Sequence, residues 1–229
     1  MDESRIDKKE ARLFAHLVQQ RRATQHFLPD PVPDEAIELA LEIARQAPSG
    51  YNFQPWRFLV LTDAGQREKL KRAAFNQEKI TEAPVAVIAF GQRQGWKEHV
   101  DEIVRQNVER RGLKLDPEQQ KRGALDFVNS FDPAVWLNRH VMIAFTHLML
   151  AFESLGWDTA PMEGFDANGV KQTFELPADA EVVALLAVGR SRTGTEAHPG
   201  RLEVEQIAFR NRYGEPFTST ASAAAVASR

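Results

Sequence analysis

Ala-Pro-Ser-Gly-Tyr-Asn-Phe-Gln-Pro-Trp-Arg-Phe, residues 47–58, joins a helical run to a strand-like run through turn chemistry, amides and aromatics. Pro48 and Pro55 lack an amide donor and push the residue before each towards extended backbone. The preceding helix therefore cannot continue, and an ordered loop is expected. Between the prolines lie Ser49, Gly50, Asn52 and Gln54: a hydroxyl, a permissive backbone position and two amides. That set suits hydrogen bonding to a flat, polar-edged ligand, and it equally suits a polar loop closed by its own internal bonds.

Upstream of the loop, Ile6, Leu13, Phe14, Leu17 and Val18 recur at helical spacing between residues 5 and 20, with charge on the other face. Arg21-Arg22-Ala23-Thr24-Gln25-His26-Phe27 follows, and Pro29, Pro31 and Pro33 then rule out helix. Adjacent arginines of this kind also suit a solvated surface pair. Pro33 reads as a first helical position, with Asp34 and Glu35 complementing the helix dipole, and the helix to residue 46 is expected to bury Ile37, Leu41 and Ala44.

Downstream, residues 56–62 read as a strand, and Asp63 with Gln66 caps a helix to about residue 74. Asn76 and Lys79, three apart, are expected on one face of a helical turn, where they can reach one ligand or simply face solvent. Residues 83–90 form a continuous apolar run, hence a buried strand. The polar interval 92–130 predicts two helices broken around residues 112–117. Its Trp96, together with Phe127 and Phe131, offers a substrate-side surface or core packing. Asp132 and Pro133 then cap a helix to Leu155, roughly 33 Å long, apolar nearly all round and stopped by Gly156. Such a helix must be covered on most sides, and it is long enough to contribute both to its own core and to a subunit interface. His140 and His147 lie on it without a carboxylate-rich set, so they read as packed histidines and no metal site is expected. Pro161 and Gly164 make a turn that presents backbone N–H groups, and residues 181–189 form another buried strand. Arg210 and Arg212, two apart on an extended chain, point to one side as a phosphate clamp requires, or are surface charge.

The chain of 229 residues is 43% hydrophobic and 27% charged, with a net charge of -3, which disfavours nucleic acid or an anionic membrane as partner. With no cysteine it has no disulfide, zinc-thiolate site or thiol nucleophile. The first residues carry no apolar signal core and no run reaches a membrane-spanning length, so the cytoplasm is the expected address.

Five of these segments, in order, resemble the nitroreductase family of FMN-dependent oxidoreductases: Arg21 with Phe27; Ala47-Pro48-Ser49-Gly50-x-Asn52-x-Gln54-Pro55-Trp56-x-Phe58; Asn76-x-x-Lys79; Pro161-x-Glu163-Gly164-Phe165; and Arg210-x-Arg212. The resemblance implies an α+β nitroreductase-like fold, a mixed central sheet packed between helices, and an intertwined homodimer with one FMN per chain at the interface. Residues 1–217 would be a single domain and 218–229 a mobile tail. Arg21, Arg22, Ala23 and Gln25 would meet the flavin phosphate and ring edge, with Ala23 in place of the usual hydroxyl and Gln25 in place of the usual cation. Asn76 and Lys79 would meet the pyrimidine side, and the backbone of Pro161, Met162, Glu163 and Gly164 the region of N5. Arg210 and Arg212 would hold the phosphate. The loop carrying Pro48, Ser49, Gly50, Asn52 and Gln54 would come from the other subunit. No Gly-x-Gly-x-x-Gly follows a strand, so NAD(P)H would stack on the flavin itself. The implied activity is ping-pong hydride transfer from NAD(P)H through flavin N5 to a nitroaromatic, quinone or similar conjugated acceptor, with no catalytic side chain. Two alternatives stand beside it: a flavin-binding module without turnover, and a family member with flavin-fragmenting or dehalogenating activity.

Overall fold

A computed structural model describes residues 9–112, 116–194 and 197–217. Contact density divides the chain into two units, residues 1–196 and 197–229, taken in turn.

The first unit is built on β5 (Ala180–Ser191), whose Val-Val-Ala-Leu-Leu-Ala-Val run is apolar on both faces. β3 (Val85–Gln92) and β4 (Asp158–Met162) pair with the same residues of β5 and so flank it on opposite sides. β2 (Trp56–Leu61) pairs with the far edge of β3, and the two-residue β1 (Phe27–Leu28) pairs with the end of β5. All four ladders are antiparallel. Among the described residues, parallel pairing occurs only at the isolated bridge between Ala23 and Thr159.

Side chains alternate across the pleat, so β3 feeds two cores at once. Val85, Val87 and Ala89 pack with α2 (Asp34–Ala44) and α7 (Pro133–Ser154). Ala86, Ile88 and Phe90 face the other layer, with Leu70 of α3 (Ala64–Ala73), Ile80 of α4 (Lys79–Glu82) and Val170 of α8 (Ala167–Thr173). This is the α+β, helix-covered sheet expected from the sequence. α5 (Val100–Arg111) and α6 (Pro117–Asn129) form a third core with Phe53, Trp96 and the first turns of α7, which is the helix pair expected in the interval 92–130. α1 (Lys9–Gln20) buries no residue and leaves Leu13 and Phe14 each 59% exposed.

Aspartate caps set four of the helix starts: Asp63, Asp116, Asp132 and Asp166 each accept a hydrogen bond from a first-turn amide. At the other end of α7, Gly156 takes φ +81° just after the cap, a conformation that costs only glycine little. Pro33 departs from expectation. It is the extended residue before α2 (ψ 144°), and Asp34 is the first helical residue, because the Pro-x-Pro run keeps Pro33 out of the helix. Ala40 rather than Leu41 fills the fully buried position, and Leu41 packs at the margin of that core.

In the second unit, α9 (Val204–Ile207) precedes a turn closed by an antiparallel bridge between Phe209 and Pro216. The tail 218–229 lies outside the described residues. No helix among the described residues is long and apolar enough to cross a membrane.

Candidate functional site

The loop after α2 folds into a short 3-10 turn, Gly50–Asn52, with an unusual backbone. Tyr51, Asn52 and Gln54 all take positive φ (52°, 61° and 47°), which disfavours each by roughly 1–2 kcal/mol. The compensating bonds come from three places. Gly50 N–H donates to His140 Nε2 of α7 (3.0 Å), Asn107 Nδ2 of α5 donates to Tyr51 O (3.0 Å), and Gln54 N–H donates to Ser49 Oγ (3.0 Å). Phe53 anchors the loop, 1% exposed and 4.9 Å from the Trp96 ring. A cavity of about 460 Å³ opens between Pro48, Ser49, Tyr51 and Asn52 on one wall and Gln106, Asn107 and Arg110 on the other. Of the hydroxyl and amides expected to face a ligand, Ser49 and Asn52 line this opening, whereas Gln54 lines a separate one with Phe53, Arg57 and His99.

A second cluster gathers the other expected segments of the first unit. Thr24 N–H donates to Thr159 O (3.0 Å), tying residues 21–25 to β4. Lys79 Nζ donates to Gln25 Oε1 (3.1 Å), and Gln77 Nε2 donates to Gly164 O (2.7 Å), so residues 76–79 touch both neighbours. Glu82 accepts from Phe27 N–H (3.0 Å) and fixes α4 against β1. Arg22 Nη1 turns back to Gln19 O (2.6 Å) and Arg21 O (2.9 Å), where a cation satisfies carbonyls at the end of α1. Arg21 Nη1 is buried without a hydrogen-bond partner. Beside this cluster lies an apolar cavity of about 410 Å³, lined by Met142, Phe145, Thr146 and Met149 of α7 and by Pro161, Met162 and Glu163.

Asn76 is not on a helical turn with Lys79, as the spacing suggests. It takes φ +58° in a left-handed turn after Phe75 (φ +53°), and α4 begins only at Lys79. The tight exit from α3 imposes this, since Asn76 N–H closes back onto Lys71 O (2.9 Å).

Glu153, on α7 behind this cluster, accepts from Thr159 N–H (3.0 Å) and Thr159 Oγ1 (2.6 Å). Burial raises its pKa to about 7. The Thr159 bonds oppose the rise, Asp158 adds to it and Arg21 opposes it.

The two clusters stand on opposite edges of the sheet. Met162, at the end of β4, pairs with Leu185 of β5, whereas Trp56, which opens β2, pairs with Gly91 of β3, itself opposite Glu181. From β4 to β2 there are three strand spacings, roughly 14 Å. One chain does not bring residues 48–54 onto residues 21–25, 76–79 and 161–164.

Trp96 is 3% exposed between Phe53 and Trp136 and serves packing, whereas Phe127 is 51% exposed and stacks edge-on with Tyr51 and Phe131. Arg210 and Arg212 belong to the second unit and do not sit on an extended strand. Asn211 takes φ +65° and Arg212 N–H folds onto Arg210 O (2.8 Å), because Asn-Arg-Tyr-Gly makes a tight turn. There Arg212 pairs with Glu215 (2.6 Å) and Arg210 lies over the Phe217 ring (4.3 Å). Among the described residues, no group of three or more His, Cys, Asp or Glu side chains is placed to hold a metal ion.

Sequence reasoning missed Asn107, Gln77 and Glu153, which carry no motif and matter through contacts distant in sequence. His140 was noticed only as a packed histidine.

Comparison with known proteins gives the family and the fold. The profile of the Nitroreductase family matches residues 18–190. A Thermus thermophilus protein named NADH dehydrogenase is 32% identical over 189 residues, covering 82% of this chain and 90% of that protein. A nitroreductase-like protein of Streptococcus mutans, of known structure, is 25% identical with a TM-score of 0.79, covering 88% of this chain and 99% of that one. A nitroreductase structure from Exiguobacterium sibiricum, in complex with FMN, has a TM-score of 0.78 at 23% identity, covering 86% of this chain and 97% of that one. The chain therefore belongs to the nitroreductase family.

Proposed function

We propose that the protein is an FMN-dependent oxidoreductase that takes hydride from NAD(P)H and delivers it to a small electrophilic acceptor, in two half-reactions at one site. The observation that carries the reading is the convergence of residues 21–25, 76–79 and 161–164 through the Thr24–Thr159, Lys79–Gln25 and Gln77–Gly164 bonds. Bound FMN supplies the hydride chemistry at N5, and the protein supplies position and electrostatics. Lys79 supplies a cation for the pyrimidine side, held in place by Gln25. Arg21, with a buried nitrogen that lacks an acceptor, fits an anionic group. The turn 161–164 offers backbone N–H groups, and the Met142, Phe145 and Met149 wall excludes water beside it.

The placement of the two clusters on opposite edges of the sheet supports a homodimer in which residues 48–54 of one protomer complete the site of the other. The surface suits such a partner: Phe14, Leu17 and Ile43 line a groove of about 420 Å³ with Leu150 and Ala151 of α7. The purified protein is expected to be yellow and to release close to one FMN per chain on denaturation. Anaerobic NADH or NADPH should bleach it, and a panel of nitroaromatics and quinones should restore the colour. Flavin that is bound yet never bleached identifies a module without turnover, and a colourless protein that takes up no FMN ends the reading.

A further inference from the structure

His140 belongs to none of the five motif segments, yet it makes the bond that ties the 49–54 loop to α7. We propose that His140 is a positioning residue for the cofactor, held as the neutral Nδ1–H tautomer by Trp136 so that Nε2 caps Gly50 and sets the shape of the loop. The consequence for FMN rests on the function proposed above; the tautomer and the cap do not.

Gly50 N–H lies 3.0 Å from His140 Nε2, and His140 Nδ1 lies 2.8 Å from Trp136 O. A carbonyl only accepts and a backbone N–H only donates, so Nδ1 carries the proton and Nε2 presents its lone pair. Each bond thereby fixes the nitrogen needed for the other. The ring has little room to turn, with its centroid 4.5 Å from that of Trp136. A Cβ added at Gly50 would come within 3.5 Å of Nε2 and 3.8 Å of Trp136 Nε1, so loop and helix are in van der Waals contact at this point.

The loop needs such a tie. Tyr51, Asn52 and Gln54 all sit in the left-handed region, which a residue with a Cβ leaves unless its surroundings hold it there. Asn107 holds Tyr51 O from α5, and Ser49 Oγ acts only within the loop. His140 adds the tie to α7, whose Met142, Phe145 and Met149 line the apolar cavity beside residues 161–163. One helix thus holds the amide-bearing loop and walls the second half-site.

The test uses ¹⁵N-labelled full-length protein as wild type, H140L and H140Q. Leucine keeps bulk and removes the acceptor; glutamine puts Oε1 where Nε2 was. Wild-type apoprotein should show His140 protonated at Nδ1. H140L should speed Gly50 amide exchange and raise the FMN dissociation constant, each about 10-fold, as expected for one lost buried hydrogen bond. H140Q should restore most of both. A wild-type Nε2–H tautomer, H140L values equal to wild type, or H140Q as impaired as H140L would overturn the proposal. If H140L fails to fold, the wild-type tautomer and H140Q decide. Both the tautomer and the exchange are read without flavin, so a wild type that binds no FMN sinks the proposed function while the role of His140 in shaping the loop is still decided.

Discussion

Lys79 and Gln25 illustrate what single residues disclose. Both were legible from motif positions, but their direct contact, Nζ to Oε1 at 3.1 Å, was not, because they are far apart in sequence. A fixed cation beside a group that becomes more negative on reduction stabilises the reduced form more than the oxidised one. Lys79→Met is therefore expected to lower the two-electron flavin potential by about 30 mV, equivalent to ~1.4 kcal/mol, and to slow reduction by NAD(P)H. Adding Gln25→Lys should recover part of the loss, and equal potentials in wild type and Lys79→Met would show that the lysine acts elsewhere. Glu153 has no motif, and only its burial sets it apart. Its folded pKa of about 7 lies above the ordinary carboxyl value, so between pH 4.5 and 7 the folded state holds a proton that the unfolded chain has lost. Stability from this group is accordingly full below about pH 4.5 and falls as pH rises to 7. Glu153→Gln removes the titration. The melting temperature of the variant relative to wild type should therefore rise between pH 5 and 8 by roughly 2 to 8 °C, for about 1 to 2 kcal/mol at a site that solvent partly screens. A pH-independent difference would contradict this assignment.

Among elements, α7 was the most legible: Asp132-Pro133 at its start, apolar residues on almost every side and Gly156 at its end state its limits locally. α5 and α6 were legible as a broken pair for the same reason, Gly112 and Asp116-Pro117 being punctuation. β1 and α4 were not foreseen, since two and four residues are too short for periodicity and both depend on tertiary bonds such as Phe27 N–H to Glu82. The packing of α7 on the sheet is equally invisible in the sequence, and Gly91 shows how close it is. A Cβ there would meet Leu137 Cδ2 at 2.8 Å, Pro55 O at 3.2 Å and Val141 Cγ2 at 3.3 Å. Gly91→Ala is expected to cost about 1–3 kcal/mol by overpacking, seen as a lower denaturation midpoint in urea. The Pro55 contact should also displace the loop and weaken FMN binding. An unchanged midpoint would mean that α7 has slack at this crossing.

At the scale of the whole molecule, the motifs disclosed the family and the fold class, and the resemblance implied a site shared between subunits, which the sheet order of the single chain makes concrete. Ser49 and Lys79 belong to one expected site and yet lie at opposite sheet edges, since β5 and β3 come between β4 and β2. That arrangement makes the partner protomer part of the account. Leu13, Phe14 and Val18 of α1 and Ile143 of α7, all exposed in the single chain, are expected to lose solvent in the dimer, in an interface above roughly 2,000 Å². The most direct test is native mass spectrometry of the yellow protein. The account predicts a species of two 25.8 kDa chains carrying two FMN, with flavin and dimer lost together on dissociation. A single chain that retains FMN would contradict it, because one chain would then hold the cofactor without the partner's loop.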